Sequence, residues 1–303
     1  MKNKLFIASA IATFFAFMLY SANLKRISSG QLPKIITQTT RQQISAHASN
    51  KTHEPKLSKV TPPLAHDLVA AKGSNAALVK VIKPHLTSTV AQVAVNRIAK
   101  PRLFARVANQ QQPQRVGRTI QLFLLATLFT QEAKGKLGAT TSITIKRADR
   151  VKGDAAVRLH IAYGIQYLRA TMLQGSGTAA NALLRKVGIK RVNLLAHQLG
   201  AKQTRISDGN HGLTTASDLA RAFTALSTNK IAVATQVLAN LQAQQRSLAW
   251  LANASNKQLG LADHRAGVAL MAARHKRYVF AFVGATPPAE KLLPAVNHWL
   301  QQN

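Results

Sequence analysis

The chain is 303 residues long, contains no cysteine and carries 41 Lys and Arg against 9 Asp and Glu, a formal net charge of +32 at pH 7. The lack of cysteine excludes disulfides, thiolate metal sites and cysteine nucleophiles, and 5% aromatic residues argue against a reader of single-stranded nucleic acid, which needs stacking side chains among its cations. With 47% hydrophobic residues the composition is that of a globular protein, and its charge predicts a polyanionic partner such as an anionic cell-wall polymer or peptidoglycan.

Residues 1–24 have the pattern of a targeting segment. An uncharged apolar run from Leu5 to Ala22 is flanked by basic residues on both sides, and it is just long enough to cross the hydrocarbon core of a membrane. Tyr20 is too large for the small-residue position of the only cleavage candidate, which favours retention as an anchor. We therefore expect a signal peptide or signal anchor, contact with the membrane through this segment, and a C-terminal part at the extracellular face of a bacterial cytoplasmic membrane or secreted.

Residues 25–75 are rich in Ser, Thr, Gln, Lys and Pro and show no sustained apolar period. This composition predicts a basic polar linker. The remaining residues, 76–303, are predicted to fold as one domain.

The folded part begins with a predicted helix at 76–86 and predicted strands at 89–98 and 102–107. Residues 119–129 are apolar on nearly every face and predict a helix buried all round. Further predicted helices span 164–173, 178–187, 191–199, 214–226 and 231–242, followed by strands at 266–272 and 278–283 and a closing helix at 288–302. Strands from both chain ends around a helical insertion predict an α+β fold, an antiparallel sheet flanked by helices plus an all-helical lobe.

Four stretches, in this order, resemble segments of the class A serine β-lactamases and penicillin-recognising serine hydrolases. They are VGRTIQLFLL (116–125), MLQGSGTAANALL (172–184), GAKQTRI (200–206) and TTASDLAR (214–221). The resemblance implies a β-lactamase/transpeptidase-like fold over residues 76–303. It also implies where the catalytic side chains of the family should lie.

Those positions carry other residues here. The resemblance places Arg118 at the serine nucleophile and Gln121 at the lysine one turn later. Guanidinium has no lone pair to attack a carbonyl, and a carboxamide does not accept a proton near neutral pH. Thr119 offers a hydroxyl, but one helical step points it about 100° away.

The remaining motifs are also altered. Ser176 and Thr178 occupy the Ser-Asp-Asn segment, where only the serine is kept. Asp208 is the one carboxylate between residues 206 and 214, and we expect it to be a poor substitute for the general base of the family. Lys257 is a displaced counterpart of the lysine in the Lys-Thr-Gly strand.

The sequence thus leaves three functions open. The first is a catalytically inactive relative that binds an anionic wall component through Arg118, Ser176 and Lys257 or through its basic surface. The second is a serine hydrolase acting on β-lactams or peptidoglycan peptides with Ser176 as nucleophile and Lys257 as base. The third is an adhesin that uses charge alone. We expect no cofactor and no metal, and we read His264 and His275 as solvated residues.

Overall fold

A computed structural model describes residues 68–86, 91–138, 140–243, 259–284 and 289–303, without the side chains of 289 and 290. All of them lie within the unit Thr61–Asn303. The predicted targeting segment, most of the linker and Lys257 fall outside the described residues. Among the residues described, no helix has the length and apolar character needed to cross a membrane.

The elements follow in chain order. The strands are β1 (Val69–Ala70), β2 (Ala91–Arg97), β3 (Phe104–Ala108), β4 (Gln114–Val116), β5 (Ser142–Thr144), β6 (Ala162–Gly164), β7 (Arg205–Ile206), β8 (Gly212–Thr214), β9 (Leu259–Ala262), β10 (Ala266–Ala273) and β11 (Lys276–Gly284). The helices are α1 (Ala76–Ile82), α2 (Gln121–Ala133), α3 (Ile165–Leu173), α4 (Gly177–Val187), α5 (Ile189–Gln198), α6 (Ala216–Ser227), α7 (Ala234–Ala243) and α8 (Ala289–Gln302).

The main sheet has six antiparallel strands in the order β1-β3-β2-β11-β10-β9. It joins both ends of the chain, which confirms the predicted antiparallel sheet. The central strands are buried on both faces because helices cover both. Val93 and Phe280 pack in one cluster with α1 and α8, while their neighbours Ala94 and Ala281 point to the opposite face and join the cluster that contains α6.

The helical lobe is built around α2. Residues 121–128 of this helix are all buried, as the apolar character of the segment on every face predicted. Two small sheets accompany the helices: β4, β8 and β7 form a three-stranded sheet, and β5 and β6 form a two-stranded one. These strands have two or three residues each, too few for a period of two to stand out in the sequence.

The N-terminal boundary of the domain also differs from the prediction. Val69 pairs with Ala108 in the main sheet, so the fold includes residues before Ala76. Asn75 caps α1 by accepting a hydrogen bond from the Leu78 N–H at 2.9 Å. The predicted linker therefore overlaps the first strand and cap of the folded domain.

Candidate functional site

The start of α2 is the first component of the site. A 3₁₀ turn over Arg118–Ile120 precedes the helix, and it leaves Arg118 exposed while Thr119 is buried. The Thr119 Oγ1 lies 2.8 Å from the Asp263 carboxylate and 3.1 Å from the Ala266 carbonyl oxygen, and the Thr119 N–H also donates to Asp263 at 3.0 Å. The hydroxyl therefore points to the β9–β10 turn, away from the direction of Arg118, as its helical position predicted.

Gln121 connects the helix to the loop between β7 and β8. Its buried side chain donates from Nε2 to the Gly209 carbonyl oxygen and to Asn210 Oδ1, both at 3.4 Å. Asn210 in turn donates from Nδ2 to the Gly177 carbonyl oxygen at 3.1 Å. These amides join α2, the β7–β8 loop and the start of α4, so Gln121 has a positioning function in this arrangement.

Ser176 is the N-cap of α4. Its Oγ accepts a hydrogen bond from the Ala179 N–H at 3.1 Å and donates to Asp154 Oδ2 at 2.8 Å. Thr178 donates its N–H to the same oxygen at 2.8 Å, and its hydroxyl accepts from the Val151 N–H at 3.1 Å. Both hydroxyls thus hold the 151–154 segment against the helix start.

The electrostatics of this cap follow from its hydrogen bonds. Burial alone would raise the pKa of Asp154, but hydrogen bonds from the Thr178 N–H and the Ser176 hydroxyl outweigh it and lower the pKa. Asp154 is therefore a weak proton acceptor. The hydrogen bonds stabilise the charged form of its carboxylate, which accepts them.

Two glycines allow the parts of the site to approach one another. Gly175 has φ +114°, and a Cβ at this position would collide with the Arg118 guanidinium. A Cβ on Gly177 would lie 2.6 Å from the Asn210 amide nitrogen. The turn before α4 thus lets Arg118 lie directly over its backbone.

Beside this turn lies a groove of about 480 Å³. Its polar lining comes from Lys152, Asp154, Gln174, Ser176 and Asn210. The Arg118 guanidinium lies next to Gly175, which is also a lining residue. An exposed guanidinium beside a groove with a polar lining can bind an anionic or strongly polar ligand.

The Asp208 carboxylate accepts hydrogen bonds from residues of its own loop. Its Oδ1 accepts the N–H groups of Asn210 at 2.7 Å and His211 at 2.8 Å, and His211 Nδ1 lies 3.1 Å from both carboxylate oxygens. These contacts fold the loop between β7 and β8 into a tight turn. The carboxylate stabilises the loop that presents Asn210.

The structure thus brings together four of the five predicted site residues, Arg118, Gln121, Ser176 and Thr178, and the fifth, Lys257, lies outside the described residues. Sequence reasoning missed Asn210, Asp154 and Asp263, although the glycine-flanked Gln-Gly-Ser-Gly turn signalled a close approach of neighbouring groups. In the described part of the chain, no cluster of three or more metal-ligating side chains occurs. His264 and His275 lie in the turns at opposite ends of β10 and do not face each other.

The sequence profile described as "Beta-lactamase enzyme family" matches residues 77–282 of the chain. No curated protein sequence matches it. Among solved structures, the β-lactamase from Sphaerobacter thermophilus DSM 20745 is 16% identical, with 74% of this chain and 95% of that chain covered and a TM-score of 0.59. A β-lactamase from Xanthomonas campestris pv. campestris str. ATCC 33913 is 17% identical, with coverage of 75% and 96% and a TM-score of 0.56. The D-alanyl-D-alanine carboxypeptidase from Mycobacterium tuberculosis H37Rv is 18% identical, with coverage of 71% and 92% and a TM-score of 0.51.

Proposed function

This chain belongs to the beta-lactamase enzyme family, and from that premise we propose that it is a non-catalytic member, exported to the cell envelope, whose cleft and basic surface bind an anionic wall component. The observation that carries the proposal is Arg118 at the start of α2. Its exposed guanidinium lies over Gly175 at the edge of the polar groove. A permanent cation there is suited to hold a carboxylate or phosphate group and unsuited to attack a carbonyl.

The neighbours of Arg118 support a binding function. Gln121 is buried and bonded to the Asn210 loop, so the position one turn after Arg118 carries a neutral amide rather than a proton acceptor. The Asn210 side chain lines the groove. An anion at Arg118 would therefore lie near a fixed amide group, and neither Arg118 nor Gln121 can act as nucleophile or base.

The alternative hydrolase, with Ser176 as nucleophile and Lys257 as base, meets a chemical obstacle at the serine, whose hydroxyl is hydrogen-bonded to a carboxylate. The Ser176 hydroxyl donates to Asp154, and the pKa of Asp154 is lowered because hydrogen bonds outweigh the effect of its burial. A carboxylate with a low pKa is a poor general base near neutral pH. The same oxygen of Ser176 also accepts a hydrogen bond from the Ala179 N–H. This hydrogen bond would have to break if the oxygen attacked a carbonyl.

We also propose that the predicted targeting segment, residues 1–24, directs export and contacts the membrane. The +32 charge supports a polyanionic partner outside the cytoplasm, where anionic polymers coat the cell. Much of the binding should come from the surface charge, because each contact with a phosphate releases counterions. We expect wall binding to weaken steeply between low and high salt.

The test measures retention of the full-length chain on isolated cell walls across a salt series. The variants are Arg118→Ala and, as a matched control, Arg115→Ala, which removes another exposed arginine from β4 just before the site. At fixed salt we expect Arg118→Ala to weaken binding about tenfold, the loss of one charge-assisted contact. Arg115→Ala should change it by less than about twofold.

A parallel assay examines catalysis. The full-length chain is incubated with a fluorescent penicillin and a chromogenic β-lactam, and any adduct is mapped by mass spectrometry. We expect neither adduct nor turnover. A labelled serine, or hydrolysis that is lost in Ser176→Ala, refutes the non-catalytic proposal. In the wall-retention assay, equal losses of binding in Arg118→Ala and Arg115→Ala would show that the cleft does not contribute. The protein would then be an adhesin that acts by charge alone.

A further inference from the structure

A second cavity lies between the main sheet and the start of α6. It measures about 160 Å³, and its lining includes Arg106, Gln203, Ser217, Asp218 and Arg221. It shares no lining residue with the groove beside Arg118. This cavity is therefore separate from the site considered above.

Arg106 is held in a fixed orientation within the cavity. Its Nη1 donates to Asn96 Oδ1 at 2.8 Å, and its guanidinium carbon lies 4.8 Å from the centroid of the Phe104 ring. The side chain is only partly exposed. A guanidinium positioned in this way presents its remaining N–H groups without further loss of conformational freedom.

The charges around the cavity do not balance. Asp218 is buried, and its Oδ2 accepts the Gln203 N–H at 2.7 Å and the Thr204 hydroxyl at 3.0 Å, while its Oδ1 is 3.3 Å from Arg221 Nη1. The lining of the cavity thus holds one carboxylate and two arginines. Burial first, and then the nearby charge of Arg221, lower the pKa of Arg106 to about 10, although Asp218 acts in the opposite direction.

Ser217 provides an independent observation. Its Oγ is buried and finds no hydrogen-bond partner among the residues that the structure describes. The residue lines the same cavity. A buried hydroxyl without a partner costs free energy. Rotation about the Cα–Cβ bond of Ser217 would turn the hydroxyl to an anion in the cavity and remove that cost.

We propose that this cavity binds an oxyanion, the carboxylate or phosphate group of a ligand, between Arg106 and Arg221 with the Ser217 hydroxyl as an additional donor. The planar guanidinium groups match the geometry of such an anion, and its charge offsets the excess of cations. The proposal does not depend on ligand binding at Arg118. The group can come from a free ion or from a chain that carries it.

The test uses the full-length chain in a mild non-ionic detergent and titrates it with inorganic phosphate, and separately with acetate, by calorimetry. Ionic strength is held constant with chloride, so that general attraction to a strongly basic protein stays the same. The variants are Arg106→Gln, Arg106→Lys and Ser217→Ala. The matched control is Arg102→Gln, which removes the same charge from an exposed position in the β2–β3 turn.

We expect a saturable component in the wild type that Arg106→Gln weakens about tenfold. Arg106→Lys keeps the charge but not the two-pronged geometry, so it should weaken binding severalfold, and Ser217→Ala should do so by about threefold. Arg102→Gln should bind within about twofold of the wild type.

The proposal is overturned if the wild type shows no saturable binding, or if Arg102→Gln weakens it as much as Arg106→Gln. If Arg106→Gln fails to fold, Arg106→Lys and Ser217→Ala decide: unchanged phosphate affinity in both rejects the site. Competition by a soluble polyphosphate chain identifies a polymer-borne group as ligand. Saturable phosphate binding without such competition identifies a free ion, and both results support the oxyanion site.

Discussion

Replacing Ser176 with alanine tests whether this serine is a structural cap. The substitution removes the N-cap of α4, which costs about 1 kcal/mol. It also removes the hydrogen bond to the Asp154 carboxylate, and bonds to charged groups contribute about 1.5–3 kcal/mol. Asp154 keeps the N–H groups of Thr178 and Ala156 as donors, so we expect a total loss of about 2–3 kcal/mol at pH 7.

The loss should depend on pH. The pKa of Asp154 is lowered in the folded protein because its hydrogen bonds outweigh burial, so the bonds stabilise the fold above the unfolded pKa of about 3.9. Their contribution disappears as the pH falls through the lower, folded value. Without the Ser176 hydroxyl the Asp154 pKa rises toward its ordinary range, and the difference between wild type and variant narrows below about pH 4.

The assay is urea unfolding of the full-length chain at pH 7 and at several lower pH values. Asn75→Ala is the matched control, because Asn75 caps α1 by accepting the Leu78 N–H, and it should cost about 1 kcal/mol. This cap involves no carboxylate, so its cost should stay constant with pH. If Ser176→Ala costs no more than Asn75→Ala at pH 7, or if its cost is the same at every pH, the reasoning is refuted.

Two further substitutions test the geometry around Arg118. Gly175→Ala forces a Cβ into the guanidinium at positive φ, so it should cost about 1–3 kcal/mol and lower wall retention as Arg118→Ala does. Gly135→Ala, at φ +68° with open space around the added Cβ, serves as the strain-only control, because Gly135 does not line the groove. Equal wall retention in both glycine variants would contradict the contact. Thr119→Val removes the hydroxyl beside Asp263 and should lower the free energy of unfolding by about 1–2 kcal/mol. Wall binding should stay unchanged. If the variant instead keeps its stability and loses wall binding, the hydroxyl belongs to the cleft.

The sequence predicts the long elements of this fold well. The helix after Arg118 and strands β10 and β11 contain enough apolar residues in sequence to reveal burial on every side. The shortest strands escape detection because β4, β7 and β8 pair through contacts that only the folded chain creates. Their two or three residues carry no period of their own.

The candidate site is predictable only in part. The order of the resembling stretches places Arg118 and Gln121 at one helix start. Asp263 could not be found in this way, because its bond to Thr119 spans 144 positions of sequence. Such a partner depends on the path of the β9–β10 turn, which local propensity does not determine.

The acidic side chains of this protein should tolerate substitution less well than its exposed lysines. Every carboxylate whose side chain the structure describes accepts hydrogen bonds from its own chain: Glu132, Asp149, Asp154, Asp208, Asp218 and Asp263. Lysines such as Lys152 and Lys186 are exposed, and substitutions at exposed positions usually change stability by less than about 0.5 kcal/mol. Mutational tolerance should therefore be sharply asymmetric: a library of variants would keep these acids almost fixed while the exposed lysine positions vary. The net charge could then be reduced by redesigning surface lysines, with the fold preserved and only the attraction to polyanions altered.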